Sequence, residues 1–133
     1  MERIICLAIG YLFGMFQTSY IIGKIHHMDI RQYGSGNAGT TNALRTLGKK
    51  AGAMTLIGDM LKCVIAILIV DAVFKNRYQE ILPLLGMYTA AGCVLGHNFP
   101  FYLGFRGGKG IAASAGMLLA MDWRVFLICA VIF

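Results

Sequence analysis

Two polar stretches of the sequence are rich in glycine, hydroxyl, amide and cationic groups, which are suited to bind phosphate. One stretch, from Gly96 to Gly110, holds five glycines, two cations and a histidine. Glycines let a backbone approach a ligand closely, and successive exposed amides form an anion-binding concavity. A helix starting near Gly110 would point its positive N-terminus at the same place, beside the charge of Lys109. The stretch is either an anion-binding loop or a flexible basic connection on a membrane surface.

The other polar stretch, from Gly34 to Arg45, places three glycines within six residues and follows them with polar side chains. A short helix from about Thr40, stopped at Gly48, would put Thr41 and Asn42 on the same face as Arg45. The guanidinium fork of arginine fits phosphate oxygens in a bidentate way. The alternative is a capped surface helix whose basic face meets anionic lipid headgroups.

Three more candidate residues lie inside or at the end of apolar segments. Asp59 and Lys62 stand in the middle of a long apolar run, where a lone charge costs about 2.5–3.5 kcal/mol on insertion scales. Their spacing lets them share one helix face and pair, either as a structural ion pair or as a support of the site. His97 closes the next apolar segment. It is a base, a donor to an oxyanion, or a helix-end histidine bonded to a carbonyl.

The segments that must position these residues are apolar enough to cross a membrane. The chain has 133 residues, of which 58% are hydrophobic, and its mean hydropathy is +0.69. Runs of about 20 apolar residues are typical of membrane helices, and no segment alternates with a period of two. We therefore predict an all-α, polytopic helical integral membrane protein with one membrane domain. The predicted spans are residues 4–23, 51–74, 81–102 and 110–121, with the start of another at 125–133, so that the chain looks truncated within a helix.

The charge distribution predicts the orientation in the membrane. The net charge is +6, and the stretch from Lys24 to Lys50 carries five basic residues against Asp29 alone. Such an excess marks cytoplasmic loops rather than nucleic-acid binding, so the N-terminus is expected outside and both glycine-rich loops inside. The four cysteines are far apart in apolar segments and are expected to be reduced packing residues. No metal site is expected, because the adjacent His26 and His27 would point apart on a helix.

Two weaker signals lie in the first span. Gly10 and Gly14 form a GxxxG pair, which suits close packing of helices. Residues 17–19, with the sequence Gln-Thr-Ser, stand near the far end of the span. They either line a site or are ordinary interfacial residues.

Taken in order, these motifs resemble those of the acyl-phosphate:glycerol-3-phosphate acyltransferase family (PlsY type). The resemblance covers essentially the whole chain, and order, spacing and helix context agree. The matching residues are Asp29-Ile30-Arg31, Gly34-Ser35-Gly36-Asn37, Gly39, Thr41-Asn42, Arg45, Asp59, Lys62, Gly96-His97-Asn98-Phe99-Pro100 and Gly104-Phe105-Arg106-Gly107-Gly108-Lys109-Gly110. Family members continue with further helices and a third cytoplasmic motif that these residues do not include. The 133-residue fragment alone is therefore expected to lack activity.

The resemblance implies a bacterial plasma-membrane enzyme. It would move a fatty acyl group from acyl phosphate to the 1-hydroxyl of glycerol 3-phosphate, giving lysophosphatidic acid and phosphate in the first step of phospholipid synthesis. Acyl phosphate is already activated, so positioning and charge stabilisation could supply most of the rate. Expected partners are both substrates, membrane lipid and the peripheral enzyme that makes acyl phosphate. No cofactor and no nucleic acid are expected.

Site residues follow from the same resemblance. The predicted catalytic residues are Ser35, Arg45, His97 and Lys109. The residues predicted to bind substrate phosphate are Gly36, Asn37, Thr41, Asn42, Arg106, Gly107, Gly108 and Gly110. We expect Lys109 with the amides of residues 107–110 to hold one phosphate and Arg45 with Ser35 and Asn42 to hold the other, in an order that stays open. Asp59 and Lys62 would support the loops from behind.

Two rival functions use the same residues. If the protein were a transporter or channel subunit for a phosphorylated solute, the solute would cross the membrane without forming a chemical product. A structural membrane subunit that binds anionic lipid predicts tolerance of changes at Arg45 and Lys109 that keep the charge. The dense glycine and amide pattern argues against the second rival, because binding to a lipid surface needs only charge.

Overall fold

Helices joined by short turns and by two longer loops, residues 26–39 and 99–110, make up the computed structural model, which describes residues 1–132. Over that range there is no β-strand, and the all-α prediction is confirmed. The helices are α1 (Glu2–Gly14), α2 (Thr18–Ile25), α3 (Thr40–Leu47), α4 (Lys49–Phe74), α5 (Leu82–Asn98), α6 (Ile111–Met121) and α7 (Trp123–Ile132). Phe133, the last residue of the predicted segment 125–133, lies outside the described residues.

Two segments are long and apolar enough to cross a membrane, Glu2–Ile25 and Lys49–Phe74, and α6 and α7 are shorter apolar helices. Large apolar side chains cover the outer faces of α4, where Ile57 and Leu68 are exposed. Exposed apolar surface of this extent is what lipid, rather than water, accommodates. The helices themselves therefore fit a membrane interior.

The predicted first span, residues 4–23, is not one continuous helix. The helix stops at Gly14 and resumes at Thr18, so that Met15, Phe16 and Gln17 form a break between α1 and α2. The break is stabilised from outside, because Tyr102 Oη donates to the carbonyl of Met15 over 2.6 Å. A broken membrane helix needs such partners for its freed carbonyls.

Glycines bring α1 and α5 into backbone contact. A Cβ atom at Gly10 or Gly14 would collide with the carbonyl of Thr89 or Cys93, respectively. The contact is reciprocal: a Cβ at Gly92 or Gly96 would collide with the carbonyl of Leu7 or Tyr11. The GxxxG pair of α1 therefore packs against a second GxxxG pair on α5, which confirms the close packing expected of Gly10 and Gly14.

The predicted third span, residues 81–102, is shorter than expected. Helix α5 ends at Asn98, and Pro100 precedes a 3₁₀ turn at Phe101–Leu103. Proline cannot continue a helix and restricts the residue before it. The chain then turns back toward the end of α5, which brings the second glycine-rich stretch onto that end.

Buried cysteines occupy the centre of the helix bundle. Cys63 and Cys93 lie in a cluster of buried apolar residues with Ile67, and Cys6 is buried elsewhere. Cys129 on α7 is exposed, so the expectation that all four are packing residues is wrong for this one.

Candidate active site

Asn42 lies inside the polar stretch Gly34–Arg45 and determines its shape. This stretch is called the first stretch or first loop below, and Gly96–Gly110 is called the second. Its side chain is 1% exposed, and its Nδ2 atom donates to the carbonyls of Ile30 (3.0 Å), Tyr33 (2.9 Å) and Asn37 (3.0 Å). Its Oδ1 atom accepts from the amide of Ser35 over 3.1 Å. The side-chain amide is therefore fully used in shaping the loop.

The predicted helix over residues 40–47 is confirmed as α3, and it places its polar residues on different sides. Thr41 and Arg45 are exposed, whereas Asn42 faces inward. The expectation that Asn42 and Arg45 hold a phosphate together is therefore wrong for this conformation. Gly34, at φ +55°, shows the same packing, because a Cβ there would collide with Oδ1 of Asn42.

Arg31 joins the two glycine-rich stretches. Its guanidinium forms a bidentate pair with Asp29, with Nε–Oδ1 at 3.0 Å and Nη2–Oδ2 at 2.8 Å. Nη1 crosses to the second stretch and donates to the carbonyls of Leu103 (2.7 Å) and Arg106 (3.3 Å). The side-chain hydrogen bonds from Arg31 hold the pKa of the Asp29 carboxyl below its ordinary value. The pair is therefore ionised and fixes one loop against the other.

The second stretch folds back over the C-terminal end of α5. The amide of Gly107 donates to the carbonyl of Asn98 over 3.0 Å, and the amide of Gly108 donates to the carbonyl of His97 over 3.1 Å. These bonds satisfy carbonyls that a helix end leaves free. They also occupy two of the four amides expected to hold a phosphate, so that part of the prediction is wrong for this conformation.

Gly108 has no room for a side chain. A Cβ atom there would collide with Nε2 of His97 and would lie 2.6 Å from the carbonyl oxygen of Ala38. The imidazole edge, the second stretch and the first stretch therefore meet at one point. Close approach of this kind is the clearest structural need for glycine in the site.

A buried polar cluster lies behind this meeting point. Nζ of Lys62 is 3.1 Å from Oδ1 of Asp59 and 2.7 Å from Nδ1 of His97. The same ammonium donates to the carbonyls of Gly14 (3.0 Å) and Phe16 (2.7 Å) at the break between α1 and α2. A cation is favoured at the C-terminal end of a helix, so Lys62 both pairs with Asp59 and stabilises the broken helix.

Residues at the break and directly after it complete the cluster. Nε2 of Gln17 donates to the carbonyl of His97 over 2.8 Å, and Thr18 Oγ1 donates to Oδ1 of Asp59 over 3.2 Å. Gln17 and Ser19 are fully buried and Thr18 is half-buried, so Gln17 and Ser19 belong to the interior. The structure thus places Asp59, Lys62 and His97 together.

The remaining predicted site residues differ in exposure. Ser35, Arg45, Arg106 and Lys109 are exposed, and within residues 1–132 none of these side chains makes a hydrogen bond or ion pair to another residue. Gly36 and Asn37 are half-buried in the first stretch, and Gly110, at φ +77°, is buried directly before the first residue of α6. Their roles in binding stay predictions.

Two residues of the site were missed as site residues by sequence reasoning. Arg31 stands two residues after the only acid of its basic stretch, and that spacing is the signal that could have revealed the pair with Asp29. Tyr102 lies in the second stretch, but nothing in the sequence links its hydroxyl to Met15, 87 positions away.

Comparisons with known proteins point to one family. The family model described as glycerol-3-phosphate acyltransferase matches residues 4–133. A glycerol-3-phosphate acyltransferase of Clostridioides difficile is 53% identical over 98% of this chain and 64% of that protein. One of Lactiplantibacillus plantarum is 47% identical over 99% of this chain and 62% of that protein.

Solved structures agree. The crystal structure of PlsY (YgiH), an integral membrane glycerol 3-phosphate acyltransferase, in its glycerol 3-phosphate form matches with a TM-score of 0.81 and 34% identity, over 98% of this chain and 63% of that chain. The lysophosphatidic acid form matches with a TM-score of 0.79 and 34% identity, over 98% of this chain and 62% of that chain. This chain thus spans less than two thirds of the length of these proteins.

Proposed function

The chain belongs to the glycerol-3-phosphate acyltransferase family, and on that premise we propose that it forms the N-terminal part of an acyl-phosphate-dependent enzyme. The enzyme transfers a fatty acyl group from acyl phosphate to the 1-hydroxyl of glycerol 3-phosphate, the first step of phospholipid synthesis. One observation carries the proposal: Arg31 ties the two glycine-rich loops together, with Nη1 2.7 Å from the carbonyl of Leu103. Two phosphate-binding loops held side by side suit a reaction between two phosphorylated substrates.

The exposed cations of the two loops are the groups we assign to the phosphates. Arg45 lies on α3 of the first loop, and Arg106 and Lys109 lie on the second. Their side chains have no partner in the described part of the chain, so a phosphate meets no competing acid. The amides at the start of α6 add donors for the phosphate near Lys109, in place of the Gly107 and Gly108 amides.

The chemistry needs no protein nucleophile. The 1-hydroxyl oxygen of glycerol 3-phosphate attacks the acyl carbonyl carbon, and the carbonyl electron pair moves to oxygen. When that oxyanion collapses, the bond from carbon to the phosphate oxygen breaks, and the phosphate leaves with its electron pair. The hydroxyl proton ends on the departing phosphate. Protein groups lower the barrier by holding both substrates in line and by stabilising charge at the carbonyl oxygen.

The fatty tail has a matching surface. An apolar groove of about 490 Å³ lies between α1 and α4, lined by Leu12, Phe13, Phe16, Gly58, Leu61, Lys62 and Ile65. Lys62 connects the groove to the buried cluster at His97. We assign the tail of acyl phosphate to this groove, which would place the activated carbonyl near the loops.

The cellular setting follows from the same proposal. The protein lies in the bacterial plasma membrane, with its N-terminus outside and its glycine-rich loops in the cytoplasm. The basic residues of the stretch 24–50 favour this orientation, because positively charged loops stay on the cytoplasmic side. It uses no cofactor and binds no nucleic acid. Its further partners are membrane lipid and the peripheral enzyme that makes acyl phosphate.

The test uses membranes that contain the whole protein. Labelled glycerol 3-phosphate is offered with palmitoyl phosphate or with palmitoyl-CoA, and lysophosphatidic acid is counted. Product with palmitoyl phosphate alone supports the proposal. Product with the CoA ester alone overturns the assignment of acyl phosphate as the acyl donor. Absence of product from an inserted protein, with uptake of glycerol 3-phosphate into vesicles, would indicate a transporter.

A further inference from the structure

The hydrogen bond between Lys62 and His97 determines which ring nitrogen carries the proton. An ammonium group only donates, so Nδ1 of His97, at 2.7 Å from Nζ, must accept. A histidine ring that accepts through Nδ1 carries its proton on Nε2. Four acceptors surround Nζ, and Nδ1 is one of the two at the shortest distance.

The alternative tautomer would resemble a catalytic triad, in which a carboxylate accepts from Nδ1–H and Nε2 acts as the base. The carboxylate in question is Asp59. Its Oδ1 atom is 3.9 Å from Nδ1 of His97, beyond hydrogen-bond distance, and it lies 3.1 Å from Nζ of Lys62 instead. Lysine therefore stands between the carboxylate and the imidazole, and the triad arrangement does not form.

The other face of the ring reaches the meeting point of the two loops. Nε2 lies against Gly108, next to the carbonyl of Ala38, and it makes no hydrogen bond to any residue from 1 to 132. A donor at that place faces the region where the proposed reaction brings its two phosphorylated substrates together.

We propose that Lys62 is a positioning residue that fixes His97 as its Nε2–H tautomer, so that His97 donates a hydrogen bond to the carbonyl oxygen of the acyl phosphate and does not act as the general base. The proposal rests on the proposed acyltransferase function. It assigns His97 to the carbonyl oxygen, where negative charge develops during attack, and leaves the hydroxyl proton to the departing phosphate. Stabilisation of such an oxyanion by one donor is worth about 10²–10³ in kcat in other enzymes.

The first test measures the tautomer directly. The whole protein, labelled with ¹⁵N-histidine in detergent micelles, contains His26, His27 and His97 within these residues, and comparison with the His97→Gln variant assigns the resonance of His97. We expect Nδ1 of His97 to be unprotonated and Nε2 to carry the proton. A proton on Nδ1, whether alone or with one on Nε2, would overturn the proposal.

The second test removes the partner of Nδ1, and the thermal midpoint in detergent is measured beside the rate, because Lys62 also donates to the carbonyls of Gly14 and Phe16 at the helix break. Lys62→Met alone leaves the buried Asp59 charge unpaired, which is strongly destabilising, so the double variant Asp59→Asn/Lys62→Met is used. We expect kcat to fall by about 10–100-fold and KM for both substrates to change by less than about threefold, because only a transition-state interaction is weakened. An inserted double variant with wild-type kcat would contradict the role of Lys62.

The third test separates a donor from a base. The amide of Gln reaches the position of Nε2 and can donate but cannot act as a base, whereas the amide of Asn reaches only the position of Nδ1. His97→Gln is therefore expected to keep about a tenth or more of the wild-type kcat, and His97→Asn to lose about 10²–10³. If both inserted variants lost about 10²–10³ in kcat, His97 would act as a general base and the proposal would be overturned. His26→Gln, on an exposed residue outside the site, is the matched control.

Failure of the proposed function gives a different result. A wild-type protein that makes no lysophosphatidic acid from acyl phosphate overturns the acyltransferase proposal and the role of His97 with it. An active wild-type protein whose His97 carries its proton on Nδ1 overturns the positioning role alone.

Discussion

The guanidinium of Arg31 donates to the carbonyl of Leu103 over 2.7 Å while it also forms a bidentate pair with Asp29. One side chain therefore fixes one loop against the other, through two residues that are 72 positions apart in sequence. If each loop holds one phosphate, this contact determines how the two substrates face each other.

Arg31→Lys keeps the charge of Arg31 but loses its fork. Hydrogen bonds to charged groups contribute about 1.5–3 kcal/mol each, and lysine cannot reach Asp29 and Leu103 together. We expect kcat/KM to fall by about 10–100-fold with normal insertion, measured by acyl transfer in membranes. Lys24→Ala is the matched control, because Lys24 also lies over the Tyr20 ring. A wild-type rate in Arg31→Lys would show that loop spacing does not limit the reaction.

Arg45→Ala and Lys109→Ala should abolish turnover and leave the fold intact. Both side chains are exposed and unpaired in the described residues, so their removal leaves no buried group without a partner. The expected loss is about 10²-fold or more in kcat/KM, while detergent-extracted protein keeps its thermal midpoint. Lys50→Ala is the matched control: Lys50 is an exposed cation outside the two loops, on α4, and its removal should change the rate by less than about twofold. A wild-type rate in either Arg45→Ala or Lys109→Ala would contradict the assignment of that residue to a substrate phosphate.

Gly108→Ala should stop the reaction by displacing His97. The added Cβ would collide with Nε2 of His97 and press on the carbonyl of Ala38, 2.6 Å away. We expect a loss of about 10²-fold in kcat. Gly104→Ala is the control, because it adds the same methyl group to the same loop in open space, although at φ +64°. If the two variants lose the same activity, the close approach at Gly108 is not important for the reaction.

Gly92→Ala should destabilise the packing of α1 against α5. A Cβ at this position would collide with the carbonyl of Leu7, a backbone atom that cannot rotate away. Overpacking of this kind costs about 1–3 kcal/mol, which lowers the thermal midpoint in detergent. Gly86→Ala on the same helix is the control, since its nearest neighbour is 3.7 Å away at Ile67. A midpoint unchanged by Gly92→Ala would mean that the two helices can separate freely.

Asn42→Ala should loosen the first loop. It removes the donor shared by the carbonyls of Ile30, Tyr33 and Asn37, and buried carbonyls without a partner cost about 1–3 kcal/mol. The expected result is faster tryptic cleavage after Arg31 in membrane vesicles opened to protease. Thr41→Ala, on the exposed side of α3, should leave cleavage unchanged. If the Asn42→Ala variant were cleaved no faster than the wild type, other contacts would be sufficient to hold the loop.

Some of these features were predictable from local sequence, and others were not. The short helix α3 follows from residues 40–47 and the glycine after it, because helix ends depend on nearby residues. The inward position of Asn42 did not follow, because the same spacing allows either face of α3 to be buried. Which face packs is decided by the loop carbonyls around it and not by the helix itself.

The break after Gly14 shows the same limit. Hydropathy predicts an uninterrupted span over residues 4–23, and the polar residues 17–19 do not by themselves show that the helix stops at Gly14. The freed carbonyls of Gly14 and Phe16 are satisfied by Lys62, 48 and 46 positions away. A helix can break in an apolar environment only where another element supplies such donors.

Composition and hydropathy are sufficient to assign the structural class of the protein, and motif order predicts where its site lies. Apolar runs specify membrane helices, and the clusters of glycine, amide and cationic residues mark the two loops, because hydropathy and backbone freedom are properties of the residues themselves. Which of those groups are free of contacts within the protein depends on tertiary packing, which local sequence does not show. The side chain of Asn42 and the amides of Gly107 and Gly108 are used within the protein, while Asp59 and Lys62 meet His97, because hydrogen-bond partners are selected by how distant helices pack.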